Sequence, residues 1–232
     1  GGLVVEDWPD DGGINIASTS DPNNRPIFIP NALNGYPAIH FCHFSANGIS
    51  SSYDQTITTE LDLPGALFTN SHYTLYMVVS SPTKLNVEGD NINNISNESI
   101  DAGTFLHGSD AMPYGQLTVG FSSNSNLLFG HNLNDLNVPV SRSSNFRLLI
   151  MRFSTIDGMT AFINDSDVPL SSDASLNLPL TSNNGLKLNA SSLSSPGDNT
   201  RSQVVEIRAF NVALTDTDRL QIANQILNKY GL

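Results

Sequence analysis

Short apolar runs with a period of two recur along the whole chain and constrain its fold more than any other feature. The clearest are Pro37 to Phe44, Tyr73 to Ser80, Gly103 to His107, Leu117 to Ser122, Leu127 to Gly130, Phe146 to Ser154, Met159 to Asn164, Gly185 to Asn189 and Val204 to Phe210. Side chains on a strand point alternately to its two faces, so alternation of this kind marks strands with one face in a core. Clusters of Gly, Asn, Asp, Pro and Ser between the runs supply the turns. Asp157-Gly158 separates two of them and reads as a hairpin, because that dipeptide tolerates the positive φ of a tight turn. Nine or more short strands without intervening helical patterns predict an all-β fold: a two-sheet antiparallel sandwich rather than a βαβ sheet.

One helix is expected, at about 216–229. Thr215 suits the N-cap position, with Asp218 three residues on, where its carboxylate also meets the positive end of the helix dipole. Ile222, Ala223, Ile226, Leu227 and Tyr230 form one apolar stripe, and Gly231 follows as a stop. The helix is expected to clasp the sandwich. No linker or fixed-period repeat divides the chain, so residues 1–232 are read as a single domain. Two polar stretches, Ser81 to Ala102 and Ala190 to Ser202, are long enough to suggest binding or mobile loops.

Composition narrows the function classes. The chain of 232 residues has 22 Asp plus Glu against 10 Lys plus Arg, a formal charge of −12. Ten dispersed cations cannot form a basic stripe, which argues against nucleic acid and against anionic membrane surfaces. No run of 18 apolar residues exists, so no membrane insertion is expected. The only cysteine, Cys42, excludes an internal disulfide. The chain opens Gly-Gly with no signal peptide, as expected of a processed or excised polypeptide. Its 27 Asn, 29 Ser and 15 Thr suit an extracellular or virion surface.

Several stretches together resemble the concanavalin A-like lectin/glucanase superfamily, in the laminin-G-like jelly-roll form found in bacterial and phage surface proteins. They are Trp8-Pro-Asp-Asp-Gly-Gly, Arg25-Pro26, the strand NGYPAIHF from Asn34 to Phe41, YTLYMVVS, the hairpin from Phe146 to Asn164, and Val204 to Leu232 with its terminal KYGL. The resemblance implies a jelly roll of two antiparallel sheets, one of them concave. It implies no single activity, since this fold hosts sugar-binding modules, glycan-cleaving enzymes and structural modules.

Glycoside cleavage needs two carboxylates facing one groove, yet none of the five Glu residues sits in Glu-x-Asp-x-x-Glu or Glu-x-Asp-x-Glu. Glu206 is read as a structural carboxylate paired with a polar group of the core or of a neighbouring strand. No Gly-x-Ser-x-Gly elbow occurs, and the chain is expected not to be an enzyme. In His40-x-Cys42-His43, alternation puts His43 on the face opposite the other two, so no zinc site is assigned. One structural calcium is the only cofactor considered, with Asp7, Asp10 and Asp11, the segment 132–137, or Asp165 and Asp167 as oxygen clusters. Trp8 is read as a packing anchor. For a glycan, the candidate ligand-binding residues are Asp110 and Tyr114 in GSDAMPYG, with Asn132, Asn134 and Asp135 in NLNDLN. The four Asn-x-Ser sequons, at Asn94, Asn97, Asn164 and Asn189, are no more than chance predicts.

The expected function is therefore a non-enzymatic glycan-binding or adhesion module on a virion or cell exterior. Its partners would be a glycan or cell-surface polysaccharide, other virion or surface proteins, and further copies of itself as a homo-oligomer. The alternative is a structural or decoration protein of a phage particle; a glycoside hydrolase or lyase is the third reading.

Overall fold

The computed structural model describes residues 3–9, 11, 16–22, 25–41, 60–63, 70–81, 103–108, 117–123, 125–131, 133–180, 186–188 and 202–232. In chain order the first eight strands are β1 (Leu3–Val4), β2 (Asp7–Pro9), β3 (Ile16–Ser18), β4 (Ile27–Leu33), β5 (Tyr36–Phe41), β6 (Leu61–Asp62), β7 (His72–Ser80) and β8 (Gly103–His107). They are followed by β9 (Thr118–Ser123), β10 (Asn126–Gly130), β11 (Asp135–Val138), β12 (Arg147–Ser154), β13 (Gly158–Ile163), β14 (Ser171–Asp173), β15 (Lys187–Leu188) and β16 (Ser202–Phe210). Helix α1 (Asp216–Tyr230) closes the order.

The strands form two antiparallel sheets. The first runs β1-β4-β5-β16-β7-β12-β13-β14 and the second β11-β10-β9-β8-β15-β6-β3-β2. Between them lies the main core, built from Phe41, Tyr73, Leu75, Met77, Phe105, Phe121, Phe129, Phe153 and their neighbours. The expected sandwich is thus present, and all nine predicted runs contain strands. Trp8 packs against this core as an anchor. Strands β1, β2, β3, β6 and β14 are two or three residues long and too short to show a period. β4 is longer but carries Pro30, which cannot donate to a ladder, and its pairing with β5 shifts register between Ile29 and Leu33.

β7 is the central departure from simple alternation. Tyr73, Leu75, Met77 and Val79 enter the main core, while Tyr76 and Val78 enter a second apolar layer on the other face. That layer also holds Leu33, Leu148, Ile150 and Phe162, and α1 covers it with Ala223, Ile226, Leu227 and Tyr230. The helix is the predicted clasp. At its N-terminus the Asp218 amide donates to Thr215 Oγ1 at 3.2 Å. At its C-terminus Gly231 adopts φ 66° in the left-handed region, and the Leu232 amide donates to the Leu227 carbonyl at 3.1 Å. Arg219, absent from the predicted apolar stripe, is fully buried with its guanidinium 3.7 Å from the Phe162 ring centroid.

Two turns show how local chemistry places this helix. Asn34 and Gly35 link Leu33 to Tyr36 with φ of 48° and 87°, as a two-residue primed hairpin turn requires. Asn34 Nδ2 then donates to the Tyr230 carbonyl at 2.6 Å, and the Tyr36 and Tyr230 rings meet edge to face at 4.8 Å. The predicted hairpin at Asp157-Gly158 forms through three loop residues, since Ser154 pairs with Gly158 and, of the dipeptide, only Gly158 has positive φ. Glycine is also required there by space: a Cβ would lie 2.2 Å from the Asp173 carbonyl oxygen.

Glu206 joins the closing strand to the helix, with partners on its own strand and on α1 rather than on a neighbouring strand. Its carboxylate accepts from Arg208 Nε on the same strand, from Tyr230 Oη at 2.5 Å and from Lys229 Nζ at 3.0 Å on the helix. Burial alone would raise this carboxyl, but these hydrogen bonds reverse the effect and hold it below its usual range. Replacing Glu206 with Ala leaves three donors without their acceptor and is expected to cost about 2–4 kcal/mol. The exposed Glu6, which pairs with Arg25, should lose at most about 1 kcal/mol on conversion to Ala. Urea midpoints at unchanged slope measure both; equal losses would refute the central place given to Glu206.

Candidate functional site

The register of the second sheet places residues remote in sequence on one line. Asp7 pairs with Ser18, Ser18 with Asp62, Asp62 with Lys187, and Lys187 with His107. The line continues from His107 to Thr118, then Gly130, then Asp135. Directly paired residues share a face. The adjacent residues Trp8, Ala17, Leu61, Leu188, Leu106, Val119, Phe129 and Leu136 all belong to or pack on the main core. By alternation, the polar row therefore lies on the outer face of the sheet.

Every member of the row is the first or last residue of its strand. Six connections consequently meet the sheet along it: 5–6, 19–26, 63–71, 108–117, 131–134 and 174–186. Catalytic and binding residues tend to sit on loops held by a rigid scaffold, and this line gathers such loops.

Charge along the row is uneven. Lys187 Nζ contacts Glu60 Oε1 at 2.6 Å and Asp62 Oδ1 at 3.1 Å. Burial alone would lower the ammonium, but the two carboxylates more than offset this and hold it raised. Burial, together with the positive Lys187 beside it, pushes His107 down to about 4, so its imidazole is neutral near pH 7. Asp7 and Asp62 are exposed, whereas His107 and Thr118 are buried. The row can accept hydrogen bonds at carboxylates from hydroxyl groups, and Lys187 can donate. Asp62 of the row and the adjacent Glu60 meet at one ammonium rather than facing each other across a groove.

The turn after β10 supports the end of the row. Gly130 lacks a side chain where a Cβ would stand 2.1 Å from Asp135 Oδ1, so the Asp135 carboxylate lies over it. Asp135 Oδ2 accepts from the Leu133 amide at 3.3 Å, and burial raises its carboxyl despite the Leu133 and His131 amides. Asn134 is buried, its Nδ2 donating to the Leu178 carbonyl at 3.3 Å. Beneath the turn, the fully buried His131 donates from Nδ1 to Leu178 O at 3.0 Å and accepts at Nε2 from Tyr73 Oη at 2.5 Å. A carbonyl can only accept, which fixes the proton on Nδ1. Burial lowers His131 to about 4 and raises Tyr73 well above its usual range, so both partners are neutral.

Of the predicted glycan residues, Asn134 is committed to the turn and Asp135 ends the polar row. Asp110, Tyr114 and Asn132 lie outside the described residues, as do Cys42, His43, Asp10 and nearly all of both long polar stretches. The connection containing Asp110 and Tyr114 is closed at its base by Gly108 N donating to Leu117 O at 2.8 Å. Its roots therefore adjoin His107 and Thr118, one strand from the 131–134 turn. Among the described residues no group of three or more His, Cys, Asp or Glu side chains is arranged to hold a metal. Asp7, Glu60, Asp62, His107 and Lys187 were not singled out together because only the strand register unites them. The spacing Glu60-x-Asp62 was the one local signal.

The fold is concanavalin A-like. The botulinum neurotoxin serotype G binding domain superposes with a TM-score of 0.58 at 12% identity, over 97% of this chain and 51% of that one. The botulinum neurotoxin DC binding domain, solved in complex with SialylT, gives 0.55 at 11% identity over 96% and 51%. The heptameric SAP-like pentraxin of Limulus polyphemus gives 0.51 at 12% identity over 80% and 81%. The chain spans about half the length of the toxin domains. Neither a protein-family model nor a curated protein matches it.

The two neutral histidines set a pH dependence. Their folded-state values, near 4, lie below the ordinary 6.5, so the unfolded chain binds protons first as pH falls. Stability contributed by their neutral forms is complete above about pH 6.5 and is lost progressively down to about pH 4. The expected slope approaches about 1.4 kcal/mol per pH unit for each histidine. His131→Phe should remove one proton from that slope while lowering stability at pH 7, read from urea unfolding between pH 7 and 4; an unchanged slope would contradict the assignment.

Proposed function

We propose that the chain is a non-enzymatic glycan-binding module whose contact surface is the polar row of the second sheet and the loops rooted on it. The observation carrying this reading is the convergence of Asp7, Asp62, Lys187 and His107, from four separate strands, on a single outer line that six connections join. Carboxylates and an ammonium fixed on strands suit the hydroxyls of a saccharide. Structural likeness to toxin binding domains, one solved with SialylT, and to a pentraxin supports a binding role for this fold. The acidic, Asn- and Ser-rich composition suits display on a cell or virion exterior.

The test is a glycan array with four variants. Asp7→Ala/Asp62→Ala should weaken binding at least about tenfold, roughly 1.4 kcal/mol, without altering the circular dichroism spectrum. Asp110→Ala and Tyr114→Ala should each weaken it as well, because their loop springs from the same row. Lys187→Met should reduce affinity less than the double acid variant. Binding to no glycan in any class would sink the reading.

A further inference from the structure

The proposed glycan site lies on a surface whose one described cation, Lys187, is already engaged, and this bears on which glycans it can take. A carboxylate or sulfate is recognised most strongly by a free guanidinium, a free ammonium or an open helix N-terminus. Eight of the ten Lys and Arg residues are described, and each has an intramolecular engagement. Arg25 pairs with Glu6, Arg152 with Asp216, and both Arg208 and Lys229 with Glu206. Arg142 donates to Ser81, Arg147 to the Ser141 carbonyl, and Arg219 is buried against Phe162. Lys187, the one cation on the polar row, is held by Glu60 and Asp62. Lys84 and Arg201 lie outside the described residues.

The helix offers no substitute. Thr215 caps α1, and Asp216 and Asp218 occupy its first turn, placing negative charge where an anion would otherwise bind. On the row itself Asp7, Asp62 and Asp135 outnumber the single Lys187, and Glu60 beside it adds a further carboxylate. At physiological ionic strength the screening length is about 8 Å, so these neighbouring charges outweigh the net −12 of the whole chain.

We infer that the ligand is an uncharged, hydroxyl-rich saccharide and that glycans ending in sialic acid or sulfate are rejected. Neutral hydroxyls donate to the carboxylates of Asp7 and Asp62; an anionic sugar meets like charge at the same atoms. This inference depends on the glycan-binding reading of the row, and a matched comparison separates the two. The probes are galactose-terminated glycans and their α-sialylated counterparts, measured against the intact chain.

The neutral member should bind, and the sialylated member should bind at least about tenfold more weakly at low ionic strength. That gap should narrow as salt rises from about 0.01 M to about 1 M, where screening shortens from about 30 Å to about 3 Å. Asp7→Asn/Asp62→Asn, which removes charge but keeps an oxygen acceptor, should narrow it as well. Equal or stronger binding of the sialylated member overturns the inference and leaves the glycan-binding reading standing. A gap unmoved by salt and by the double variant also overturns it, since the discrimination would not be electrostatic. Binding of neither member in any pair overturns both.

Discussion

Burial of β7 on both faces is the constraint on which the rest of the molecule depends. A strand that is apolar on one side only needs one sheet packed against it. This one presents Tyr73, Leu75, Met77 and Val79 inward and Tyr76 and Val78 outward, and all six are at most 1% exposed. Each such side chain contributes roughly 1.5–3 kcal/mol when removed from water, so leaving the outer set uncovered would weaken the fold severely. The terminal helix supplies the cover. At 15 residues it would be marginal alone, and its stability comes from this apolar layer together with the Glu206 and Asn34 contacts.

The fold was largely legible because its strongest signals are local. Period-two runs located nine strands, and Thr215, Asp218 and Gly231 marked the ends of the helix to within a residue. What escaped was set by tertiary context. Strands of two or three residues carry no readable period, and Arg219 looks like a solvent residue until Phe162 is found beneath it. Asn34 and Gly35, read from the sequence as the start of a strand, form the turn before it, and only the structure shows that Asn34 also satisfies a helix carbonyl. Two of the stretches that resemble the concanavalin A-like superfamily, NGYPAIHF and the terminal segment ending in KYGL, touch each other at this point.

The candidate site was far less legible, for a physical reason. Asp7, Asp62, His107 and Lys187 are separated by tens of residues, and only strand register brings them to one line. Register depends on pairing partners that a single sequence does not specify. Asn134 and Asp135 were legible as a polar cluster, but the structure gives them different duties: one holds the Leu178 carbonyl, the other lies above Gly130 at the end of the row. The charge arithmetic also acquires a sharper meaning. A scarcity of Lys and Arg in the sequence becomes, among the described residues, a set of eight cations each engaged within the chain.

The meeting of six connections along one edge of the second sheet bears on how such a molecule diversifies. Closing a flexible loop costs free energy that rises only logarithmically with length, about 0.6 kcal/mol for each doubling. These connections can therefore lengthen, shorten or exchange residues at small expense to a scaffold stabilised elsewhere, by β7, its two apolar layers and the helix. A strand-borne row with fixed spacing provides the constant floor, and the loops provide the variable walls. The same architecture can therefore carry very different loops, and solved structures of this fold match the chain at only 11–12% identity.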